Sequence, residues 1–357
     1  MPQNVPDAQR MQCMEVWGGN QPVDHGVMMA GLDAWLYSRP FGEAEGGGDV
    51  HYVSSCASGR ITRLLLADVS GHGQAVSTTA AALRKLMFQN VNYLDQTRFV
   101  RAMNHQFAEL SENRWFATAV VTTFFAPTND LSVCNAGHPP PLHYSSATKQ
   151  WSFLEGQAAP VRKRSGRRIG AQRAVHPEND SHPDEDPRSD ELANIPLGVL
   201  DLASYDQFGV RLRVGDLVLC YTDALMEARG RDGRQLGLDG LLRVVRDVKV
   251  SEADSFIPAL LGALSAATGD DLGDDDVTVL LFRPNGLAPR MPLKDRLKAS
   301  TRMLGAVLGA TRRHGRPVPW PELSLPNIGG AMFHPLNYLW GRRNRGRGVV
   351  GSEGVRQ

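Results

Sequence analysis

The sequence contains few cysteines, and no two of them have metal-binding spacing. Its 357 residues include four cysteines, which lie far apart and form no CxxC motif: Cys13, Cys56, Cys134 and Cys220. This spacing argues against a zinc knuckle and against a dense disulfide framework. Cys56 and Cys220 adjoin apolar stretches, so we expect both to be small buried hydrophobic residues.

Long apolar segments are also missing. No run approaches the roughly 20 apolar residues that a helix needs to cross a bilayer. The polar start MPQNVPDAQR is not followed by the apolar core of a signal peptide. Apolar residues make up 42% of the chain and charged residues 22%, which is typical of a soluble globular protein. We therefore expect a cytoplasmic protein.

Three common catalytic loops are absent. The stretch SGHGQAVS at residues 70–77 has no lysine, which a phosphate-binding loop of the GxxxxGK[ST] type requires. Arg60 follows Cys56 too closely for the thiolate loop of a cysteine-dependent phosphatase. Ser70 lacks the glycine two positions before it that a GxSxG elbow needs. The sequence therefore disfavours a nucleotide-binding loop, a cysteine phosphatase and a serine hydrolase.

Charge is distributed unevenly along the chain. From residue 285 onward there are 13 lysines and arginines against three acids, a net charge of +10, and the remainder has 26 against 35, a net charge of −9. We predict an N-terminal segment packed on or leading into the core (1–44), a main domain (45–284) and a basic extension that is partly helical or disordered (285–357). Within the main domain, the charged, Pro-rich stretch 161–190 is predicted to be a mobile surface insertion.

Hydrophobic periodicity predicts a mixture of strands and helices. Helical spacings of apolar residues occur at 74–90, at 96–111, around 241–245 and at about 256–267, and strand-like segments occur at 61–67, 116–125, 131–135, 209–214, 216–221 and 277–282. The order is not a strict alternation of strands and helices. It therefore predicts an α+β sandwich rather than a doubly wound parallel sheet.

Acidic residues stand where several apolar segments begin or end. They are Asp49 in GGGDV, Asp68 in LLLADVSG, Asp223 in LVLCYTDA and the run 274–276 in GDDDVTVL. One such acid alone is usually a turn former or a helix N-cap. Several together indicate a cation site, because grouped carboxylates repel one another and lose hydration. Oxygen ligands favour Mg²⁺ or Mn²⁺, and two such ions about 3.5–4 Å apart can activate a water for attack on phosphorus.

Six motifs occur in an order known from one family of enzymes. They are GGD at 47–49, DVSGHG at 68–73, AGHPPPL at 136–142, PLGV at 196–199, YTDA at 221–224 and DDDVTVLLF at 274–282. With them, residues 45–284 resemble the SpoIIE-type branch of the metal-dependent protein serine/threonine phosphatases (the PPM or type 2C family). The resemblance implies a four-layer α-β-β-α sandwich with two central antiparallel sheets flanked by helices. It also implies two Mn²⁺ or Mg²⁺ ions and hydrolysis of phosphoserine or phosphothreonine on a protein.

The resemblance assigns a role to individual residues. Asp68 resembles the acid that bridges both metals, and Val69 the residue that offers its backbone carbonyl. Asp223 and Asp275 resemble two acids on one metal, and Asp49 resembles the acid that contacts metal-bound water or a more weakly held ion. The nucleophile implied is the metal-bridging water, so no residue becomes phosphorylated.

Two positions depart from the family pattern, and one histidine has two interpretations. Ala224 replaces the glycine of YTDG, which would strain the turn by about 1 kcal/mol or more if that position has a positive φ. GGDVHY replaces GGDFYD and keeps the acid. His72 is a candidate general acid for the leaving seryl oxygen, or alternatively a residue that steadies Asp68 or the turn. His138 is predicted to pack or hydrogen-bond at a strand-end turn.

The sequence thus predicts a metal-dependent protein phosphatase, and the resemblance suggests a phosphorylated anti-sigma-factor antagonist as its substrate. One alternative is a pseudophosphatase, a phosphoprotein-binding scaffold with little turnover, for which Ala224 is the single indication. Another gives the main role to the basic extension, whose residues 293–313 have amphipathic spacing. That extension is compatible with contact to an anionic membrane surface or a partner, or with nonspecific nucleic-acid binding, or with packing on the acidic domain. Specific nucleic-acid recognition is not expected.

Overall fold

Thirteen strands and five α-helices are present in the part of the chain that the computed structural model describes. That part comprises residues 9–11, 15–56, 59–71, 74–91, 93, 95–111, 114–154, 193–250, 253–269, 272 and 275–287. The strands are β1 (Gln9–Arg10), β2 (Val16–Gly19), β3 (Val23–Met29), β4 (Leu32–Arg39), β5 (Asp49–Cys56), β6 (Ile61–Val69), β7 (Ala117–Phe125), β8 (Asp130–Ala136), β9 (Leu142–Ser145), β10 (Gln150–Phe153), β11 (Gln207–Arg211), β12 (Leu217–Tyr221) and β13 (Val277–Pro284). The helices are α1 (Gln74–Gln89), α2 (Gln96–Ser111), α3 (Ala224–Glu227), α4 (Gly237–Asp247) and α5 (Ala253–Thr268).

These strands form two sheets. The first has seven strands in the order β1-β3-β4-β13-β12-β9-β10, and the second has six in the order β11-β8-β7-β6-β5-β2. Every pairing of neighbours is antiparallel except that of β1 with β3. Helices α1 and α2 pack on the second sheet, and α4 and α5 pack on the first. The predicted four-layer sandwich is therefore confirmed.

The apolar run of β6 shows why the chain folds into layers. Leu65 packs under α1 and α2, whereas Leu64 and Leu66 face the first sheet. Successive side chains of a strand point to opposite faces, so a strand covered on both sides needs apolar residues at every position. The run ends at Asp68, the first partly exposed residue of this strand.

Most of the predicted elements agree with the structure. Helices α1 and α2 begin and end within one residue of their predicted bounds, and β7 pairs with β8 as the predicted hairpin. The predicted burial of the free thiol of Cys220 is confirmed. Among the described residues, no helix is long and apolar enough to cross a membrane.

The prediction missed the strands of the N-terminal region. Residues 1–44 showed little periodicity, yet β2 joins the second sheet, and β3 and β4 form a hairpin in the first sheet, where β4 pairs with β13 along eight residues. In these Met- and Gly-containing segments, apolar and polar residues do not alternate regularly. Strand formation there therefore depends on pairing with distant segments rather than on local pattern. The stretch 161–190 and residues 288–357 lie outside the described residues, and the expectations about them stay predictions.

A buried asparagine attaches the PLGV turn to α2. Asn104 is fully buried, its Nδ2 donates to the carbonyls of Leu200 and Asp201 at 2.8 and 3.0 Å, and its Oδ1 accepts from the Gly198 amide at 2.8 Å. An apolar residue here would leave the buried Gly198 amide without this partner and would remove the bonds to the two partly buried carbonyls.

We expect Asn104→Leu to lower the free energy of unfolding by about 3 kcal/mol, the upper end of the cost of leaving one buried donor unpaired. Urea denaturation measures this loss. The control is His105→Leu, one residue further along the helix, which removes an exposed 2.7 Å contact to Asp201 on the same loop. This control should lose much less stability, and equal losses would contradict the assignment.

Candidate metal centre

Four of the predicted acids lie at one end of the two sheets. Asp49 begins β5 and Asp68 is the last residue but one of β6, and the two are directly opposite in the antiparallel pairing. Asp223 follows β12 and Asp275 precedes β13, its neighbour in the first sheet. Thr222 Oγ1 donates to Asp49 Oδ2 at 2.9 Å and so joins the two sheets at this end.

The turn after Asp68 is built around a glycine. Gly71 has a φ of +97°, and a Cβ there would lie 2.9 Å from the Trp115 ring. The turn is fixed to the start of β7, because the Ser70 amide donates to the Phe116 carbonyl at 2.9 Å and the Phe116 amide donates to Ser70 Oγ at 3.2 Å. Only glycine fits this conformation next to the indole.

A second glycine leaves room beside the backbone of Val69. The Val69 amide donates to the Gly48 carbonyl at 3.2 Å. A Cβ on Gly48 would lie only 2.8 Å from the Val69 carbonyl oxygen. The absence of a side chain at Gly48 therefore keeps space next to the carbonyl that the resemblance assigns to a metal.

Burial and mutual repulsion shift the pKa values of these acids. Burial raises the pKa of Asp68 to about 8, with further contributions from the charges of Asp223 and Asp275. Burial, and then the charge of Asp68, also raises the pKa of Asp49 well above its ordinary value. The pKa of Asp223 is raised by burial and by the charge of Glu227. The carboxylates are thus close enough to destabilise one another's charged forms.

One oxygen of this cluster has no hydrogen-bond donor. Asp49 is 2% exposed, its Oδ2 is bonded to Thr222, and its Oδ1 is buried without a partner. A buried carboxylate oxygen without a donor is costly unless a cation lies against it. Among the described residues, no lysine or arginine forms an ion pair with Asp49, Asp68 or Asp223.

Carboxylate oxygens are the ligands that hard cations prefer, but the acidic side chains alone do not complete a metal coordination shell. Within the described part of the chain, no group of three or more His, Cys, Asp or Glu side chains is arranged to hold a metal by itself. Backbone carbonyls and waters commonly complete the shells of Mg²⁺ and Mn²⁺. The unpartnered Asp49 Oδ1 and the charge repulsion at Asp68 are therefore the observations that favour a cation here.

The structure removes the strain expected at Ala224. This residue is the first of α3, is buried, and is not among the residues with positive φ. An alanine is a good residue for that position. His72 lies outside the described residues, so its predicted role as a general acid, or as a residue that steadies the turn, stays a prediction.

His138 has the packing role that its sequence context suggested. Its Nδ1 lies 2.8 Å from Thr118 Oγ1, and Thr118 is opposite Asp68 in the sheet. Asn135 exchanges hydrogen bonds with the His138 backbone at 2.7 and 2.8 Å. Burial lowers the pKa of His138 to about 3. The imidazole is therefore neutral near pH 7 and brings no positive charge to the cluster.

Sequence reasoning gave no role to two residues that hold the acids in place. Thr222 is fully buried, accepts from the Thr278 amide at 3.0 Å, and directs its own proton to Asp49. Asp276, the neighbour of Asp275, is buried and accepts hydrogen bonds from backbone amides. The acidic run marked this position, but nothing local distinguishes one acid of the run from the next.

We expect Thr222→Val to weaken Mn²⁺ binding about 10-fold, the lower end of what loss of a residue that supports a metal ligand costs. The change keeps the volume of the side chain and removes the hydroxyl that donates to Asp49 Oδ2. Calorimetric titration with Mn²⁺ measures the effect. The control is Thr62→Val on β6, where the buried hydroxyl has no hydrogen-bond partner. A similar loss in both variants would show that Thr222 acts only through packing.

Two largely antiparallel sheets between helices, with acids at the strand ends, are the arrangement that the resemblance to PPM-type protein phosphatases implied. The model of the family described as Stage II sporulation protein E (SpoIIE) matches residues 58–181 and 175–285. The chain belongs to this family, whose members are protein serine/threonine phosphatases. A comparison with curated proteins found no match.

Solved structures of the same architecture support the fold. The RsbU and RsbW domains of a Mycobacterium tuberculosis protein are 20% identical, with 81% of this chain and 72% of that chain covered and a TM-score of 0.54. The SiaA PP2C domain of Pseudomonas aeruginosa is 16% identical (70% and 84% covered, TM-score 0.52). The PP2C phosphatase domain of SpoIIE from Bacillus subtilis, with a fragment of its regulatory domain, is 13% identical (76% and 64% covered, TM-score 0.51).

Proposed function

We propose that this phosphatase hydrolyses phosphoserine or phosphothreonine on a partner protein with the help of two Mn²⁺ or Mg²⁺ ions at the acid cluster. The observation that carries the proposal is the buried, unpartnered Oδ1 of Asp49, which lies in a cluster of mutually repelling carboxylates. The energetic cost of such a cluster is offset when cations bind.

The residues that would hold the ions come from both sheets. Asp68 would lie between the two ions, the Val69 carbonyl would contribute a backbone ligand, and Asp223 and Asp275 would bind one of the ions. Asp49 would contact a bound water or a more weakly held ion. Two such ions supply an activated water and offset the charge of the phosphate during in-line displacement.

The other residues of the site orient these ligands. Thr222 holds one oxygen of Asp49 and leaves the other free, and Gly48 leaves space beside the Val69 carbonyl. His138 is neutral, so it does not compete with cations for the carboxylates. For the leaving seryl oxygen we propose His72 as proton donor, with a role in steadying Asp68 or the turn as the alternative.

The proposed partner is a cytoplasmic phosphoprotein of a partner-switching pathway, namely a phosphorylated anti-sigma-factor antagonist. Support comes from the family and from the likeness to an RsbU domain solved together with an RsbW domain. The scaffold alternative depended on strain at Ala224, and the helical conformation there leaves it without a supporting observation. Contact of the basic extension with a membrane surface or a partner stays a prediction.

The experiment is hydrolysis of p-nitrophenyl phosphate and of a phosphothreonine peptide by the purified full chain. Activity should require Mn²⁺ or Mg²⁺ and should be abolished by EDTA. Binding of Mn²⁺ is measured by calorimetry under the same conditions. Hydrolysis that continues in EDTA, or a protein that neither binds Mn²⁺ nor turns over, would refute the two-metal proposal.

A further inference from the structure

The carboxylate of Asp276 is occupied by the backbone of a loop from another part of the chain. Its Oδ1 accepts from the Phe41 amide at 2.7 Å. Its Oδ2 accepts a short hydrogen bond from the Gly48 amide and a longer one, at 3.4 Å, from the Asp49 amide. The first two donors belong to the connection between β4 and β5, and Asp49 is the first residue of β5. Amide groups that converge in this way satisfy a buried carboxylate without a cation.

The loop is shaped to receive this carboxylate. A Cβ on Gly47 would lie 2.4 Å from both carboxylate oxygens of Asp276, so any side chain there would have to displace this carboxylate from its amide donors. The Gly47 amide and carbonyl are bonded to Asn20, so the loop is held on its other side as well. Gly42, also in this loop, has nothing within 4 Å of its Cβ position. At Gly47, unlike Gly42, the need for glycine comes from the contact with Asp276.

This contact connects the two sheets at the acid cluster. Asp276 lies just before β13 of the first sheet, and the loop leads into Asp49 at the start of β5 in the second sheet. Asp276 and Thr222 thus act on the same residue, one through the Asp49 amide and the other through its carboxylate. Both oxygens of Asp276 are bonded to amides of the loop before β5, whereas Asp275, which the proposed function assigns to a metal, accepts at its Oδ1 from the Asp276 amide at 2.8 Å.

We propose that Asp276 is a positioning residue, which fixes the loop of residues 41–48 so that the Asp49 carboxylate is presented to the cation site. The inference rests on the proposed function for the identity of that site. The two neighbouring acids thus have different roles: Asp275 would bind the metal, and Asp276 would bind the backbone that positions another ligand, Asp49. Loss of Asp276 should therefore weaken metal binding without removal of a ligand.

The test uses Asp276→Asn and Gly47→Ala, with Gly42→Asn as the control in the same loop. Hydrogen exchange at the amides of Phe41, Gly48 and Asp49 is measured in the metal-free full chain, and Mn²⁺ affinity is measured by calorimetry. We expect Asp276→Asn and Gly47→Ala each to speed exchange at these three amides at least 10-fold and to weaken Mn²⁺ binding about 10- to 100-fold. Gly42→Asn should change neither quantity, because asparagine tolerates positive φ.

A double variant distinguishes a shared contact from general damage. If Gly47→Ala and Asp276→Asn act through the same contact, their combined effect on Mn²⁺ affinity should be close to that of either one alone. Additive effects, or unchanged Mn²⁺ affinity when the three amides exchange faster, would overturn the inference. Protected amides in Asp276→Asn would overturn it too. Failure of the wild type to bind Mn²⁺ would instead count against the proposed function, and the exchange arm would still decide the loop contact.

Discussion

Asp68→Asn should lower Mn²⁺-dependent hydrolysis of p-nitrophenyl phosphate by about 10³-fold or more, equivalent to about 4 kcal/mol of transition-state stabilisation. The residue stands at the end of β6 opposite Asp49, and the charges of Asp223 and Asp275 act on it. An asparagine keeps the shape of the side chain but halves its ligand capacity and removes its charge. Steady-state kinetics at saturating Mn²⁺ measures the loss.

The matched control is another buried carboxylate with a purely structural environment. Asp216 is 3% exposed and accepts hydrogen bonds at 2.8 Å from the amides of Ser146 and Arg213. Asp216→Asn should reduce stability but keep kcat within about threefold, because its carboxylate holds a turn rather than a cation. Retention of activity in Asp68→Asn, or a comparable kcat loss in Asp216→Asn, would show that the acid cluster is not the catalytic centre.

Local pattern was sufficient for the elements that carry their own periodicity. The apolar spacing in α1 and α2 arises because one face of each helix packs on the second sheet. That face can be recognised from the 16 residues of the helix alone. The position of Asp68 could also be predicted from local pattern, because an acid at the end of a continuous apolar run lies where a buried strand reaches the surface. The sequence therefore indicated both the sandwich and the location of its acid cluster.

Contacts between residues far apart in the sequence could not be predicted from local pattern. Gly48 and Asp276 are 228 positions apart, and Thr222 and Asp49 are 173 apart. No window of sequence contains both partners, so the run of three acids could not show that Asp276 binds backbone. The same limit hid β3 and β4, whose place in the first sheet depends on pairing with β13. An irregular strand is stabilised by such partners more than by its own propensity.

The second large effect is a loss of stability of the metal-free protein as the pH rises. The pKa of Asp68 is raised from 3.8 to about 8, so between these values the folded chain keeps a proton that the unfolded chain has released. The stability contributed by this group is fully present below about pH 4 and is lost as the pH rises through about 8. Asp49 and Asp223 are shifted in the same direction.

Buried histidines determine the pH window in which this effect can be measured. His51 and His138 have pKa values lowered from 6.5 to about 3, so stability increases as the pH rises toward 6.5, where the unfolded chain releases its histidine protons. The histidines of the unfolded chain are still half protonated at pH 6.5, so this contribution levels off only about one pH unit higher. It is common to the wild type and Asp68→Asn, so the difference between the two proteins from about pH 6.5 to 8 isolates the contribution of Asp68.

In EDTA, we expect the free energy of unfolding of the wild type, taken relative to that of Asp68→Asn, to fall by about 1 kcal/mol for each pH unit across this window, close to the value for one released proton. Urea denaturation at half-unit pH steps measures the slope. Asp68→Asn should be more stable than the wild type at pH 8, since it buries one charge fewer. Saturating Mn²⁺ should abolish the decline in the wild type, because cations bind the deprotonated carboxylates. Stabilities of the wild type and Asp68→Asn that run parallel from pH 6.5 to 8 in EDTA would mean that Asp68 does not bear the repulsion that a metal is proposed to relieve.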